Sequence, residues 1–321
     1  MTRRYVLRRL LQVLPTATVI LLVGFLLIHL APGDPVLALA GQSGDAEYYA
    51  FMREKFGLDE PLTTQLAIYA GNALRGDLGT SYVQGRPVFD IIAERLPATM
   101  LLTGTALVLS TAVGIVVGIV AATSAGRWPD VTVSTTALAL YAAPVFLLGQ
   151  LAILLLALRA GWFPVQGMRD ARDPGTGASQ LLDVGHHLVL PVLVLASQEV
   201  AAVARLCRVG LVDELARDHV RTARAKGVPE RVVVTKHALR RALLPVVTVL
   251  GGRVGHLVSG AVIVEVVFGW PGIGRLLVTA MQTRDAPIVL GIFLLVAVTV
   301  VLANLVTDLL YAWLDPRVRY S

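Results

Sequence analysis

Residues 99–123 read TMLLTGTALVLSTAVGIVVGIVAAT, without one Asp, Glu, Lys or Arg. A helix needs ~20 apolar residues at 1.5 Å rise each to cross the hydrocarbon core of a bilayer. This run suffices with a turn to spare, so the chain is read from here as a membrane protein. Five further stretches meet the same test: Leu10 to Leu30, Val131 to Leu158, Leu188 to Leu206, Leu243 to Phe268 and Ile288 to Leu314. Pro144, Pro191 and Pro245 lie within or beside these spans, which neighbouring helices tolerate in a membrane. The expected fold is all-α and polytopic, with six transmembrane helices.

Composition agrees. Of the 321 residues, 55% are hydrophobic and only 16% charged, an apolar share above that of soluble domains. The charges are bunched between the spans. With the N-terminus inside, residues 1–9, Ser124–Asp130, Cys207–Ala242 and the tail after Asp315 hold 16 of the 28 Lys and Arg residues in a minority of the polar positions. That asymmetry places both termini in the cytoplasm. It also explains the formal charge of +6 as a topology signal, without a nucleic-acid partner. Arg3, Arg4, Arg8 and Arg9 before Leu10 imitate the start of a signal peptide, but the apolar run is too long for a cleaved one. Cys207 is the single cysteine, so neither an intrachain disulfide nor a multi-cysteine metal site can form.

The polar segments differ in kind. Residues 1–30 form a tail and first span, residues 31–98 a long extracytoplasmic insertion, and residues 99–321 a five-helix core containing a basic loop at 207–243. The insertion is expected to hold short helices at Ala46–Phe56, Leu62–Leu74 after Pro61, and Val88–Leu96 after Pro87. Proline suits a helix start, where its missing N–H has no partner to lose. Gly33, Gly57, Gly76 and Gly79 mark turns. Such an insertion could cap a pore, receive a soluble partner, or simply connect.

In the basic loop, Leu211, Val212, Leu215, Ala216, Val220 and Ala223 recur at helical spacing on one face, with Arg208, Arg217, Arg221, Arg224 and Lys226 on the other. Gly227 is placed to stop that helix, with cations in its last turn. Pro229 and Glu230 then start a second helix reaching through His237 to Arg241. Two short helices joined by a glycine turn suit docking of a partner; an interfacial membrane anchor is the alternative.

Asp218–Gly227 (DHVRTARAKG) followed by His237–Pro245 (HALRRALLP) resembles the ATPase-coupling loop of bacterial ABC importer permeases, and more narrowly of the dipeptide, oligopeptide and nickel group. Ala31–Pro35 (APGDP), Arg53–Leu58 (REKFGL), Gly76–Ser81 (GDLGTS), Arg95–Thr99 (RLPAT), Phe268–Gly274 (FGWPGIG) and Asp315–Arg317 (DPR) extend the resemblance over nearly the whole chain, to the first permease of that group. The general importer motif is Glu-Ala-Ala, three residues, then Gly. Here Arg221, Thr222 and Ala223 take the first three places and only Ala223 and Gly227 match. Glu214 and Asp218 are candidates for the role of the missing Glu.

The resemblance implies a type I ABC importer fold in the bacterial cytoplasmic membrane. It implies a second permease subunit, two ATPase subunits or domains that bind ATP and Mg, and an extracytoplasmic binding protein. The coupling residues would be Glu214, Asp218, Arg221, Thr222, Ala223, Arg224, Lys226 and Gly227. Substrates in that group include di- and oligopeptides, nickel chelates, glutathione and oligosaccharides. No lysine here follows a glycine, so the phosphate-cradling G-x-x-x-x-G-K-[ST] loop is absent. ATP hydrolysis would belong to another chain, and this one carries no cofactor and no catalytic site.

Glu199, Arg253 and Glu265 fall in or at the edges of spans, where charge is costly; they would line the path or lock helices together. Gly114/Gly118 and Gly251/Gly255 have the small-xxx-small spacing of close helix contacts. His186-His187 invites a nickel reading, but adjacent histidines make poor metal geometry. A self-sufficient carrier or channel would call for inverted repeats with interrupted helices, and a membrane enzyme for clustered catalytic groups; the sequence displays neither.

Overall fold

A computed structural model describes residues 60–81, 83–170, 172, 175–247, 249 and 261–314, with isolated positions between 15 and 53; of residues 68, 69, 72–74 and 304–314 it describes the backbone alone. In chain order the helices are α1 (Leu62–Leu74), α2 (Val88–Thr123), α3 (Trp128–Ala142), α4 (Val145–Ala152, continuing through a π segment Ile153–Arg159), α5 (Ala178–Leu215), α6 (Asp218–Ala225), α7 (Glu230–Val232), a second π segment (Val233–Ala238), α8 (Leu239–Ala242), α9 (Val262–Val267), α10 (Ile273–Gln282) and α11 (Ala286–Leu314). No strand occurs among the described residues, only an isolated antiparallel bridge between Thr80 and Pro87. All but isolated positions of the first span and of the insertion before residue 60, the middle of the fifth span (248 and 250–260) and the C-terminal tail lie outside the described residues.

The chain divides into two compact units, Met1–Thr99 with Pro271–Ser321, and Met100–Trp270. In the first, α1 has the bounds the sequence predicts, and the Pro61 carbonyl accepts the N–H of Thr64 and Gln65 at its start. The following turn uses Gly76 and Gly79 at φ +80° and +82°, a region costly for any residue with a β-carbon. Asp77 Oδ1 accepts the Gly79 N–H at 2.9 Å. Val88 is then buried in the opening turn of α2. A β-carbon on Gly291 of α11 would stand 2.6 Å from its Cγ1, so α11 crosses this turn closely. The hydroxyl of Thr99 accepts the N–H of Ile273 at 2.8 Å and so caps α10.

One expectation fails in this unit. Val88–Leu96 is not a separate short helix but the first turns of α2, which continues for 36 residues with Pro97 inside. Proline removes one ladder bond and kinks rather than ends a helix whose remaining turns are held by packing. The amphipathic helix α10 is an element that the sequence reading did not anticipate.

In the second unit the third span is broken. Helices α3 and α4 meet at a bend of 99° rather than forming one helix from Val131 to Leu158. The bend falls at Pro144: the ring disfavours an α conformation in the residue before it, and Ala143 is extended at φ −73°, ψ 132°. The fourth span is longer than expected. Helix α5 has 38 residues, about 57 Å at 1.5 Å each, overshooting a hydrocarbon core of ~30 Å. The basic loop therefore does not begin at Cys207. Leu211, Val212 and Leu215 ride on the end of α5.

Gly114 and Gly118 set the approach of α2 to α5. Added β-carbons would lie 2.6 Å from Cβ of Val203 and 2.6 Å from Cβ of Cys207. Among the described residues, α2, α5 and Ala286–Ala303 of α11 are each long and apolar enough to cross a membrane, and the bent α3–α4 pair counts as a fourth.

Candidate functional site

The loop from the end of α5 to Leu243 folds around its own apolar cluster. Leu211, Val220, Ala223, Val233, Val234, Ala238 and Ala242 are buried together with Ala122 from α2, and Leu215 and Val228 pack against them. The apolar face read from the sequence exists, but two helices share it. The chain breaks at Ala216–Arg217, where Arg217 is extended (φ −77°, ψ 156°) and caps α6. Asp218 follows in the first turn of α6, where a negative charge suits the helix dipole.

Gly227 ends α6 as predicted, at φ +75°. Its N–H bonds the carbonyl of Arg224 at 2.9 Å, and the Val228 N–H bonds that of Ala223 at 3.2 Å. These two bonds form the Schellman motif, and Val228 packs against the apolar cluster that contains Ala223. Pro229 caps α7, accepting the N–H groups of Val232 and Val233. The second helix reaches Ala242 only by way of the π segment. Such segments are rare and recur at functional sites.

The charged candidates separate into two kinds. Asp218 has a side chain 98% exposed and Arg221 one 72% exposed, paired at 3.7 Å. Glu214 is 7% exposed and faces two guanidinium groups and an imidazole: Arg217 Nε at 3.0 Å, Arg241 Nη1 at 3.6 Å and His219 Nε2 at 3.4 Å. Thr222 Oγ1 donates to the Asp218 carbonyl, and Lys226 is the C-terminal cap of α6. Arg224 joins the two halves of the loop, donating from Nε and Nη2 to Glu230 at 3.0 and 2.6 Å. That hydrogen bond holds the Glu230 carboxyl below the usual carboxylate range and raises the Arg224 guanidinium.

Two polar ties escaped the sequence reading. Asp130, buried at the start of α3, accepts from Arg208 Nε at 2.5 Å and Nη2 at 2.7 Å and from the Gly126 N–H at 2.9 Å. This anchors the 124–130 turn to α5 across 78 positions. In the other unit, buried Asp285 accepts the Ser81 hydroxyl at 2.5 Å and the Val83 N–H at 3.3 Å, fastening the Gly76–Ser81 turn to the start of α11. Partners so distant in sequence leave no local periodicity to read.

Of the other candidates, Glu199 is half-buried on α5 and Glu265 fully buried on α9. Arg253, with Gly251 and Gly255, lies outside the described residues. His186 contacts the Trp162 carbonyl through Nε2 at 2.8 Å, and His187 Nδ1 lies 2.9 Å from the Asp183 carbonyl and 3.0 Å from Asp183 Oδ1. The His186 contact holds the segment after α4 to α5, while His187 and Asp183 pair one turn apart within α5. No cluster of three or more His, Cys, Asp or Glu able to hold a metal occurs among the described residues.

Long apolar helices, with a basic loop folded as two helices around an apolar seam and an exposed charged face, define a membrane protein that presents a folded polar element. Residues 114–320 match the family described as binding-protein-dependent transport system inner membrane component, and residues 1–103 match its N-terminal membrane component. The chain is 42% identical over 317 residues to the glutathione transport system permease protein GsiC of Escherichia coli strains CFT073 and K12, and of Shigella dysenteriae serotype 1, covering 99% of both chains in each case. The chain therefore belongs to the permeases of ABC importers, within the peptide and glutathione group, and is a multi-pass protein of the inner membrane. Its family is one of transporter membrane subunits rather than of enzymes.

Proposed function

We propose that this chain forms half of the translocation path of an ATP-driven importer for small peptides, and that α6 is the element through which a separate ATPase drives it. The carrying observation is the construction of α6. Its apolar side, Val220 and Ala223, is sealed, its end is fixed by the Schellman motif at Gly227, and its charged side, with Asp218 and Arg221, is open to solvent. A short helix held rigid on one side and presented on the other suits transmission of a displacement. The Thr222, Arg224 and Lys226 side chains complete the surface a partner would meet.

In this reading six helices cross the membrane with both termini cytoplasmic, a paralogous second permease completes a twelve-helix path, and two ATPase subunits bind ATP and Mg. An extracytoplasmic binding protein delivers the cargo. Residues 31–98 receive it, and Glu199, Arg253 and Glu265 shape or brace the path. Glutathione is the favoured cargo among peptides: it is a tripeptide, and the three relatives named above are glutathione permeases by name. Nickel chelates and oligosaccharides are the weaker alternatives.

The test is ATP-dependent uptake by vesicles holding the complex that co-purifies with the chain, supplied with labelled glutathione, dialanine and a nickel chelate in parallel. Uptake of glutathione or dialanine that stops without ATP supports the proposal. Uptake driven by an ion gradient without ATP would refute it in favour of a secondary carrier.

A further inference from the structure

We infer that Glu214 is a positioning residue that locks α6 to α5, so that the two move as one lever, and is not a contact for the ATPase. The inference rests on the coupling role proposed for α6.

The side chain of Glu214 is more than nine-tenths buried, and it stands in the last turn of α5, two residues before the cap Ala216. Both facts act against a carboxylate. Burial removes hydration, and the C-terminal end of a helix carries the negative end of its dipole. The compensation comes from chain segments that α5 does not contain. Arg217 lies in the break before α6, His219 is on α6, and Arg241 is on α8. Each approaches within 3.0 to 3.6 Å. Moving α6 away from α5 would strip two of these groups from a buried charge, a loss far more costly than parting an exposed pair.

Packing around Glu214 follows the same plan. A β-carbon on Gly210 would stand 2.7 Å from the carbonyl oxygen of Ala242, so α5 and α8 touch backbone to backbone one turn away. Asp130 and Arg208 tie the start of α3 to the same stretch of α5. Apolar contacts alone permit sliding, whereas a buried carboxylate flanked by the guanidinium groups of Arg217 and Arg241 resists it through charge, with Glu214 Oε1 and His219 Nε2 making no hydrogen bond. Asp218 cannot serve in this way, since it is almost wholly exposed and meets Arg221 at 3.7 Å.

The experiment uses the whole complex with spin labels on Ala225→Cys of α6 and Leu193→Cys of α5, both exposed positions; native Cys207 is buried and withheld from the label. In the parent, the label at 225 becomes immobilised when the co-purifying ATPase is bound, and the 193–225 distance stays narrow with and without ATP. In Glu214→Gln the ATPase remains bound and hydrolyses ATP at the parent rate, while the 193–225 distance spread widens about twofold and glutathione uptake per ATP falls about tenfold, a coupling loss of ordinary size. Glu214→Asp, which keeps the charge, restores most of both, and Arg241→Gln repeats the defect from the other side of the contact.

If the label at 225 is insensitive to the ATPase, the coupling role of α6 falls and the inference falls with it. If the label responds but Glu214→Gln keeps a narrow distance, or if both variants lose ATPase binding together with fold, the lever is overturned while the coupling role stands.

Discussion

Placing a methyl group on Gly118 should force α2 and α5 apart. An ideal β-carbon there meets Cys207 Cβ at 2.6 Å, the Ala204 carbonyl oxygen at 2.9 Å and Cys207 Sγ at 3.0 Å. Ordinary carbon–carbon contact begins at ~3.5 Å, so the helices must separate by roughly 1 Å or α5 must rotate. Overpacking of this degree costs about 1–3 kcal/mol, and we expect ~2 kcal/mol for Gly118→Ala because one of the three contacts is backbone and cannot turn aside. Cys207→Gly removes the other two. In that background the cost of Gly118→Ala should drop to about 1 kcal/mol, an interaction term of ~1 kcal/mol in a double-mutant cycle. Gly104 on the same helix has nothing within 4 Å of its absent β-carbon, so Gly104→Ala should be neutral or stabilising by up to ~1 kcal/mol through helix propensity. Reversible unfolding in mixed detergent measures all four variants. Equal effects of Gly104→Ala and Gly118→Ala, or a Gly118→Ala cost that Cys207→Gly leaves unchanged, would refute the close-packing argument.

Three further predictions concern the turns and the loop. Arg284 closes α10 at φ +56° with the Asp285 N–H bonded to the Ala280 carbonyl, and since a β-carbon in that region costs roughly 1 kcal/mol, Arg284→Gly should raise thermal stability. Gly227→Pro replaces φ +75° by about −65° and deletes the N–H that bonds Arg224, so the chain should insert normally while substrate-stimulated ATP hydrolysis is lost; normal stimulation with normal uptake would count against the coupling role of α6. The Glu230 carboxyl, lowered by Arg224, stabilises the loop above its unfolded pKa and ceases to do so as pH falls through the lower folded value. Hydrogen exchange across residues 218–232 should therefore be flat from pH 6 to 8, after correction for intrinsic rates, and accelerate below about pH 4. The effect should stay under ~1 kcal/mol because the pair is exposed.

What could be read from the sequence was what local chemistry decides. Pro61 and the glycines after Leu74 bound α1, and a positive φ at Gly227 was foreseeable from cations followed by glycine. The family was legible from motifs spread over the chain, and the full-length match to glutathione permeases agrees with that reading. Helix lengths were less accessible. Pro97 and Pro144 are equally apolar interruptions, yet one is carried inside α2 while the other produces a bend of 99°. The difference lies in the packing available to each, which no local pattern encodes. The extension of α5 past Cys207 was hidden for a related reason. Hydropathy marks where a span leaves the membrane, but Leu211 stays helical because Val233, Val234 and Ala242 cover it. Asp130 with Arg208, and Ser81 with Asp285, are paired only by the tertiary fold. Glu214 was named as a candidate, but its burial, which changes its reading from partner contact to internal lock, needed the structure.

The central claim is that this chain works as one subunit of an ATP-driven import complex. The most direct measurement is purification of the tagged chain in mild detergent from its native cells, with the co-purifying proteins identified by mass spectrometry. Recovery of an ATPase with a phosphate-binding G-x-x-x-x-G-K-[ST] loop, a second permease and an exported binding protein is the predicted result. Reproducible recovery of the chain alone, under conditions that hold known transport complexes together, would contradict it.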